Sequence, residues 1–304
     1  FLAFWWLGGF GWLDELVRTC SNSSVLQGLL FMGSLFVASQ VISLPFDLYD
    51  TFVIEERFGF NKTTWLTFFA DRAKALLLAV LLGAPLLSLV MFLFERFGSL
   101  AWLYGWIAVA AFSVLMAYVA PQVILPLFNK FKPLADGPLK QAIHEMSQKC
   151  DFPLTEVFEI DGSRRSTKSN AYFTGLGKNK KIALFDTLIA NHGTGELVAV
   201  LAHEIGHYKK KHILQSLVLG ILQMGVLFFL LGFFLENRGL FTAFGVEETS
   251  IYGSLVFFTF LFEPISKLLS VGMMVLSRKN EFEADAYAAH VTGQTGDLIT
   301  GLNK

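Results

Sequence analysis

Residues 75–94 read Ala-Leu-Leu-Leu-Ala-Val-Leu-Leu-Gly-Ala-Pro-Leu-Leu-Ser-Leu-Val-Met-Phe-Leu-Phe, an unbroken run without a charge, and this run decides the fold class. About 20 apolar residues in helix cross the ~30 Å hydrocarbon core of a bilayer. Three further uncharged runs meet the same requirement: Val25–Phe46, Phe97–Asn129 and Ile213–Leu235. Thr249–Ser277 has the length too, although Glu263 and Lys267 interrupt it, and Phe1–Leu13 reads as the end of another span. Hydrophobic residues at 54% against 16% charged place the chain among membrane proteins. A net charge of −1 and the lack of a long Lys/Arg block argue against nucleic acid as a partner. Cys20 and Cys150 are too few for a disulfide framework and lack zinc-ligand spacing, so both read as incidental.

Threading the spans alternately puts residues 47–74, 130–211 and 278–304 on one face and 14–24, 95–100 and 236–248 on the other. The second face carries only Arg18, Arg96 and Arg238, while nearly all other Lys and Arg fall on the first. Cytoplasmic loops carry the excess of positive charge, so the large polar segment is expected in the cytoplasm. The expected localisation is a multi-pass integral membrane protein of the endoplasmic reticulum or a bacterial inner membrane, its site facing the cytoplasm.

Within the polar segment, Leu139–Cys150 has helical spacing and Val157–Ile160 reads as a short strand. Asn170–Thr174 and Ile182–Phe185 flank a turn-rich Gly175–Lys180, predicting a hairpin or two neighbouring strands. A helix then starts near Thr194 and carries His203-Glu204-Ile205-Gly206-His207. Residues four apart share a helical face, so this H-E-x-x-H aims two imidazoles at one ion and sets the Glu204 carboxylate beside them. Zinc in such a site lowers the pKa of water, and Glu204 is the candidate general base.

A catalytic zinc usually takes three protein ligands. His212 follows His203 by nine positions, but Lys210 stands where the longer metzincin pattern needs glycine, so His212 is expected to be an interfacial residue. Asn280-Glu281-Phe282-Glu283-Ala284-Asp285 returns to the same face after two spans, with Glu281 and Asp285 four apart. Alone, this stretch reads as a solvated acidic helix start. With the upstream motif in place, Glu281 is expected to be the third ligand and Asp285 to hold a ligand histidine by its other ring nitrogen.

These residues together resemble the type I CAAX prenyl endopeptidases. The resemblance runs from about Pro45 to Lys304 and takes in Phe52-Val53-Ile54-Glu55-Glu56-Arg57-Phe58-Gly59-Phe60-Asn61, Ser169-Asn170-Ala171-Tyr172-Phe173, Leu201–His207 and Ser277–Asp285. It implies His203, His207 and Glu281 as ligands of one zinc ion per chain and Glu204 as base. It also implies that Asn170 and Ala171 lie on an edge strand aligning the substrate peptide. The implied fold is a multi-span α-helical membrane protein enclosing a chamber, with a small α+β zinc metalloprotease domain. The family's seven spans would place one before Phe1, leaving six here, and its His- and Arg-bearing C-terminal segment would follow Lys304. Glu263 and Lys267, four apart, are expected to pair with each other.

The expected organisation is transmembrane helices over 1–129 with a cytosolic loop at 47–74, a zinc protease domain over 130–211, two further spans over 212–277 and the third-ligand helix over 278–304. The expected function is endoproteolysis of the C-terminal peptides of prenylated proteins, with peptide or prenylated protein and membrane lipid as partners. The competing readings are a membrane-protein quality-control protease and a non-catalytic membrane protein clasped by zinc. The clasp is disfavoured because structural zinc sites are usually closed by four protein ligands.

Overall fold

The computed structural model describes residues 1–174, 180–235, 237–293 and 295–302. In chain order the helices and strands are α1 (Leu2–Trp6), α2 (Gly9–Cys20), α3 (Ser24–Glu55), α4 (Trp65–Arg96), α5 (Gly98–Phe128), β1 (Phe131–Pro133), α6 (Pro138–Lys149), β2 (Leu154–Ile160), β3 (Ala171–Thr174) and β4 (Lys180–Phe185). There follow α7 (Asp186–Asn191), α8 (Thr194–Lys209), α9 (His212–Phe234), α10 (Arg238–Ala243), α11 (Ile251–Thr292) and α12 (Thr295–Leu302). Among the described residues five helices are long and apolar enough to cross a membrane: α3, α4, α5, α9 and α11. Each matches one of the expected runs to within two residues or extends past it: α3, α4 and α11 continue into polar sequence, whereas α5 and α9 end with their apolar runs. Residues 1–13 do not form one continuous helix: Gly8, at φ 73°, separates α1 from α2, and neither reaches spanning length.

Three of the spanning helices widen locally into π-helical turns, at Asp50–Glu55 in α3, Ala79–Gly83 in α4 and Ala120–Ile124 in α5. In α4 and α5 the reason lies just downstream. A helical proline has no N–H to donate and its ring crowds the carbonyl four residues earlier, which for Pro85 is Leu81 and for Pro126 is Gln122. Both carbonyls fall inside the widened turns, which relieve the clash without breaking the helix.

The chain divides into two units, the first made of Phe1–Leu48, Arg72–Val114 and Val218–Val271. Its core is aromatic: Phe10, Phe31, Tyr252 and Phe257 are fully buried, and Phe94, Phe228, Phe258 and Phe262 form a second cluster. Backbones come close where glycine permits, since a Cβ on Gly28 would sit 2.4 Å from Met91 Sδ. One buried carboxylate, Asp14, accepts from Tyr252 OH at 2.6 Å and pairs with Arg18 at 2.7 Å. Glu263 and Lys267 pair as expected, at 3.5 Å.

The second unit comprises Tyr49–Asp71, Leu115–Leu217 and Gly272–Lys304. Its four-stranded sheet has the order β1-β2-β4-β3, with β2 and β4 parallel and the outer pairings antiparallel. The two strands expected around Gly175–Lys180 are therefore neighbours, and residues 175–179 of that turn lie outside the described residues. One sheet face packs Val157, Ile182 and Leu184 against Ile143 and Met146 of α6 and Leu197, Leu201 and Ile205 of α8. Burying those side chains at ~25 cal/mol per Å² is what holds the short helices to the sheet.

Candidate metal centre

Helix α8 begins at a cap in which Gly193 N–H donates to the Glu196 carboxylate at 2.9 Å. From there the apolar face of Leu197, Leu201 and Ile205 is committed to the sheet, which leaves His203, Glu204 and His207 on the adjoining surface. Against it runs α11, and the two helices approach backbone to backbone. A Cβ on Gly206 would lie 3.1 Å from both Cα and O of Ala284, and Ala202, Ala284 and Ala288 are fully buried. The absence of bulk on both helices is what brings Glu281 to the histidines.

The result is a triangle of donor atoms. His203 Nε2 and His207 Nε2 are 3.1 Å apart, and Glu281 Oε2 lies 3.4 Å from the first and 3.6 Å from the second. Ligands at ~2.0–2.1 Å in a tetrahedral shell stand roughly 3.3 Å from one another, so the three atoms fit an ion of zinc's size. His203, His207 and Glu281 are accordingly a group that could hold a metal. Behind His203, the Nδ1–H donates to Asp285 Oδ1 at 2.8 Å, leaving Nε2 as the free donor. Burial above all, and the neighbouring His203, push the His207 pKa down, which keeps that ring neutral as a ligand must be. Glu204 is pushed up by burial, a shift that His203 opposes and Glu281 reinforces. A carboxylate whose proton affinity is raised beside such a centre is suited to general-base work.

His212 opens the spanning helix α9, the end of a span where an interfacial residue was expected, and it is packed against protein there. It is 4% exposed, and its Nδ1 stands 3.1 Å from Nδ1 of His207, on the far side of that ring from the donor triangle. Its Nε2 lies 3.4 Å from Glu283 Oε2. Lys211, a non-glycine residue at φ 61°, makes the left-handed turn between the end of α8 at Lys209 and the start of α9 at His212. No periodicity announces such a residue, which is why sequence reasoning missed both His212 and Glu283.

Asn170 and Ala171 stand at the start of β3, an edge strand of the sheet. Phe185 N–H donates to Asn170 C=O at 3.0 Å, so the pairs Ala171↔Leu184 and Phe173↔Ile182 are those without ladder bonds. The backbones of Ala171 and Phe173 therefore point to the outer side of the strand, where an extended peptide would add. The approach to β3 is laced to the 55–62 loop: Thr167 N–H donates to Phe60 C=O, Lys62 N–H to Arg165 C=O, and Lys168 pairs with Glu55. Arg165 is a third residue sequence reasoning passed over. It grips Asp71 with two nitrogens at 2.7 and 3.1 Å and also donates to Asn129 and to Phe128 C=O.

Comparison with known proteins supplies the remaining observations. Residues 1–130 match the family model described as CAAX prenyl protease N-terminal, five membrane helices, and residues 133–304 match that of peptidase family M48. The chain is 38% identical over 303 residues to the probable CAAX prenyl protease 1 of Schizosaccharomyces pombe, covering 98% of this chain and 64% of that one. It is 38% identical to CAAX prenyl protease 1 of Saccharomyces cerevisiae, with 90% and 64% covered, and 34% identical to the Homo sapiens homolog, with 92% and 67% covered. The crystal structure of S. mikatae Ste24p superposes with a TM-score of 0.93 at 35% identity, over 99% of this chain and 74% of that one. The chain thus spans about two thirds of the length of these curated relatives.

Proposed function

The chain belongs to peptidase family M48 and opens with the N-terminal domain of CAAX prenyl proteases, and from that premise we propose that it is a zinc-dependent endopeptidase of the membrane acting on C-terminal peptides of prenylated proteins. The observation that carries the reading is the donor triangle of 3.1, 3.4 and 3.6 Å with Glu204 next to it and outside it. A structural clasp has no use for a second carboxylate so placed. Bound zinc would supply Lewis acidity, making water a nucleophile at neutral pH and polarising a carbonyl. His203, His207 and Glu281 would hold the ion, and Asp285 would keep His203 in the tautomer that ligates.

Glu204 would take a proton from the attacking water as its oxygen bonds to the scissile carbonyl carbon. It would return that proton to the amine nitrogen as the C–N bond breaks, leaving a carboxylic acid and a free amine, which then exchange a proton to become carboxylate and ammonium. The substrate backbone would add to β3, with Ala171 and Phe173 offering hydrogen bonds and Asn170 fixing the strand's start. The Asn170 side chain already accepts from Ala171 N–H at 2.8 Å, which fits an ordering role. The prenylated substrate is supported by the names of the relatives, and the cytoplasmic placement of the site by the Lys/Arg asymmetry.

The test uses the purified chain in detergent, loaded with zinc and given a farnesylated C-a-a-X peptide and its unprenylated twin. Cleavage of the farnesylated peptide in preference to the twin is expected. Equal rates would remove the prenyl specificity and leave the protease. No cleavage of either by a zinc-loaded chain would sink the proposal for this chain.

A further inference from the structure

We infer that His212 and Glu283 are positioning residues for the metal centre, a two-residue relay that fixes the ring of His207 from behind. The inference rests on reading His207 as a ligand through Nε2. If Nε2 presents its lone pair to an ion, the ring proton is on Nδ1, and that N–H faces the buried His212 and must find an acceptor there. The acceptor within reach is His212 Nδ1, at 3.1 Å. Accepting there puts the His212 proton on Nε2, where it donates to Glu283 Oε2 at 3.4 Å. All four ring nitrogens are then used, and the protons run in one direction from His207 to the carboxylate. The opposite direction would place the His207 proton on Nε2 and block the ligand position.

The two histidines of the H-E-x-x-H motif are therefore held by different means. His203 donates straight to Asp285 at 2.8 Å, whereas His207 reaches its carboxylate through an interposed imidazole. Three features fit a built contact. His212 is 4% exposed, it opens α9 immediately after the left-handed Lys211, and its partner Glu283 sits on the helix that supplies Glu281. The relay thus ties α8, α9 and α11 together around one ring.

Removing a carboxylate or imidazole that orients a ligand histidine typically weakens metal binding 10–100-fold. The experiment is competition for zinc between the purified full chain and a chromogenic chelator, with melting temperature recorded alongside. His212→Ala is expected to weaken zinc binding by about 10–100-fold, and Glu283→Ala by less than about tenfold because its carboxylate is partly solvated. His212→Asn keeps an acceptor near the position of Nδ1 and is expected to recover much of the loss, which a role in packing alone would not predict. Glu283 is accessible enough that its alanine variant tests the relay even if His212→Ala does not fold. His203→Ala serves as the control for the ligand reading. If it loses zinc while His212→Ala and Glu283→Ala bind at parental affinity, the relay is overturned and the ligand reading stands. If His203→Ala itself binds zinc at parental affinity, the ligand reading falls and takes the relay with it.

Discussion

Glu204 and Glu281 are both acidic groups beside the same two imidazoles, yet the geometry assigns them opposite losses. Glu281 Oε2 is within 3.6 Å of both histidine donors, so Glu281→Ala should leave a chain that purifies with markedly less zinc. Glu204→Ala should keep its zinc and its melting temperature and lose ~10²–10⁴-fold in cleavage rate, the usual range for a general base. Metal analysis by mass spectrometry and a peptide assay on the same preparations separate the two, and a Glu204→Ala chain cutting at the parental rate would refute the base assignment. These residues were legible beforehand because helical spacing alone puts His203 with His207 and Glu281 with Asp285. His212 was not, because its place is set by a left-handed turn at Lys211, and Glu283 was not, because its partner comes from another helix. Local period reaches as far as one helix face; it says nothing of which two faces will meet.

At the scale of elements, the centre depends on how closely α8 and α11 can approach. A Cβ on Gly206 would stand only 3.1 Å from Cα and O of Ala284, tighter than ordinary van der Waals contact, and those atoms are backbone, which cannot swing aside. Gly206→Ala should therefore push the helices apart by a few tenths of an ångström, costing ~1–3 kcal/mol as overpacking does. Because the displaced helix carries Glu281, zinc affinity should fall as well, and chelator competition would register both. A melting temperature and affinity equal to the parent would show that the crossing is looser than its contacts indicate. Lys211 makes a related case. A left-handed residue costs about 1 kcal/mol unless it is glycine, and more if β-branched. Lys211→Val should lower thermal stability in detergent by at least that amount while Lys211→Gly should not. The strands and helices of this unit were mostly readable from period and turn residues, though β2 runs from Leu154 where only Val157–Ile160 was expected. The three early residues gain their strand character from pairing with β4 across a bulge, a tertiary effect.

For the whole molecule the open matter is orientation, since a bilayer has two sides and the helices alone do not choose between them. We propose the choice from charge: with the spans threaded alternately, the face holding residues 130–211 carries nearly all the Lys and Arg, the other only Arg18, Arg96 and Arg238. The two native thiols make a convenient pair of reporters, though not symmetrically. Cys20, on the sparsely charged face, is exposed, whereas Cys150 is buried against Met146 and would react slowly whichever side it occupied. Asp151, beside it, has a fully exposed side chain, so Asp151→Cys in a Cys150→Ala background reports on that face. In sealed microsomes, whose cytoplasmic surface faces outward, a membrane-impermeant maleimide should label position 151 at once and Cys20 only after detergent is added. Asp151 pairs only loosely with Lys209, at 3.7 Å, but its backbone is left-handed at φ 46°, which Asp tolerates better than Cys, so replacing it should cost up to about 1 kcal/mol. The reverse pattern, Cys20 labelled first, would place the donor triangle and β3 in the lumen. A prenylated C-terminus presented from the cytoplasm could not then reach them, and the proposed substrate would have to be abandoned even if the protease chemistry survived.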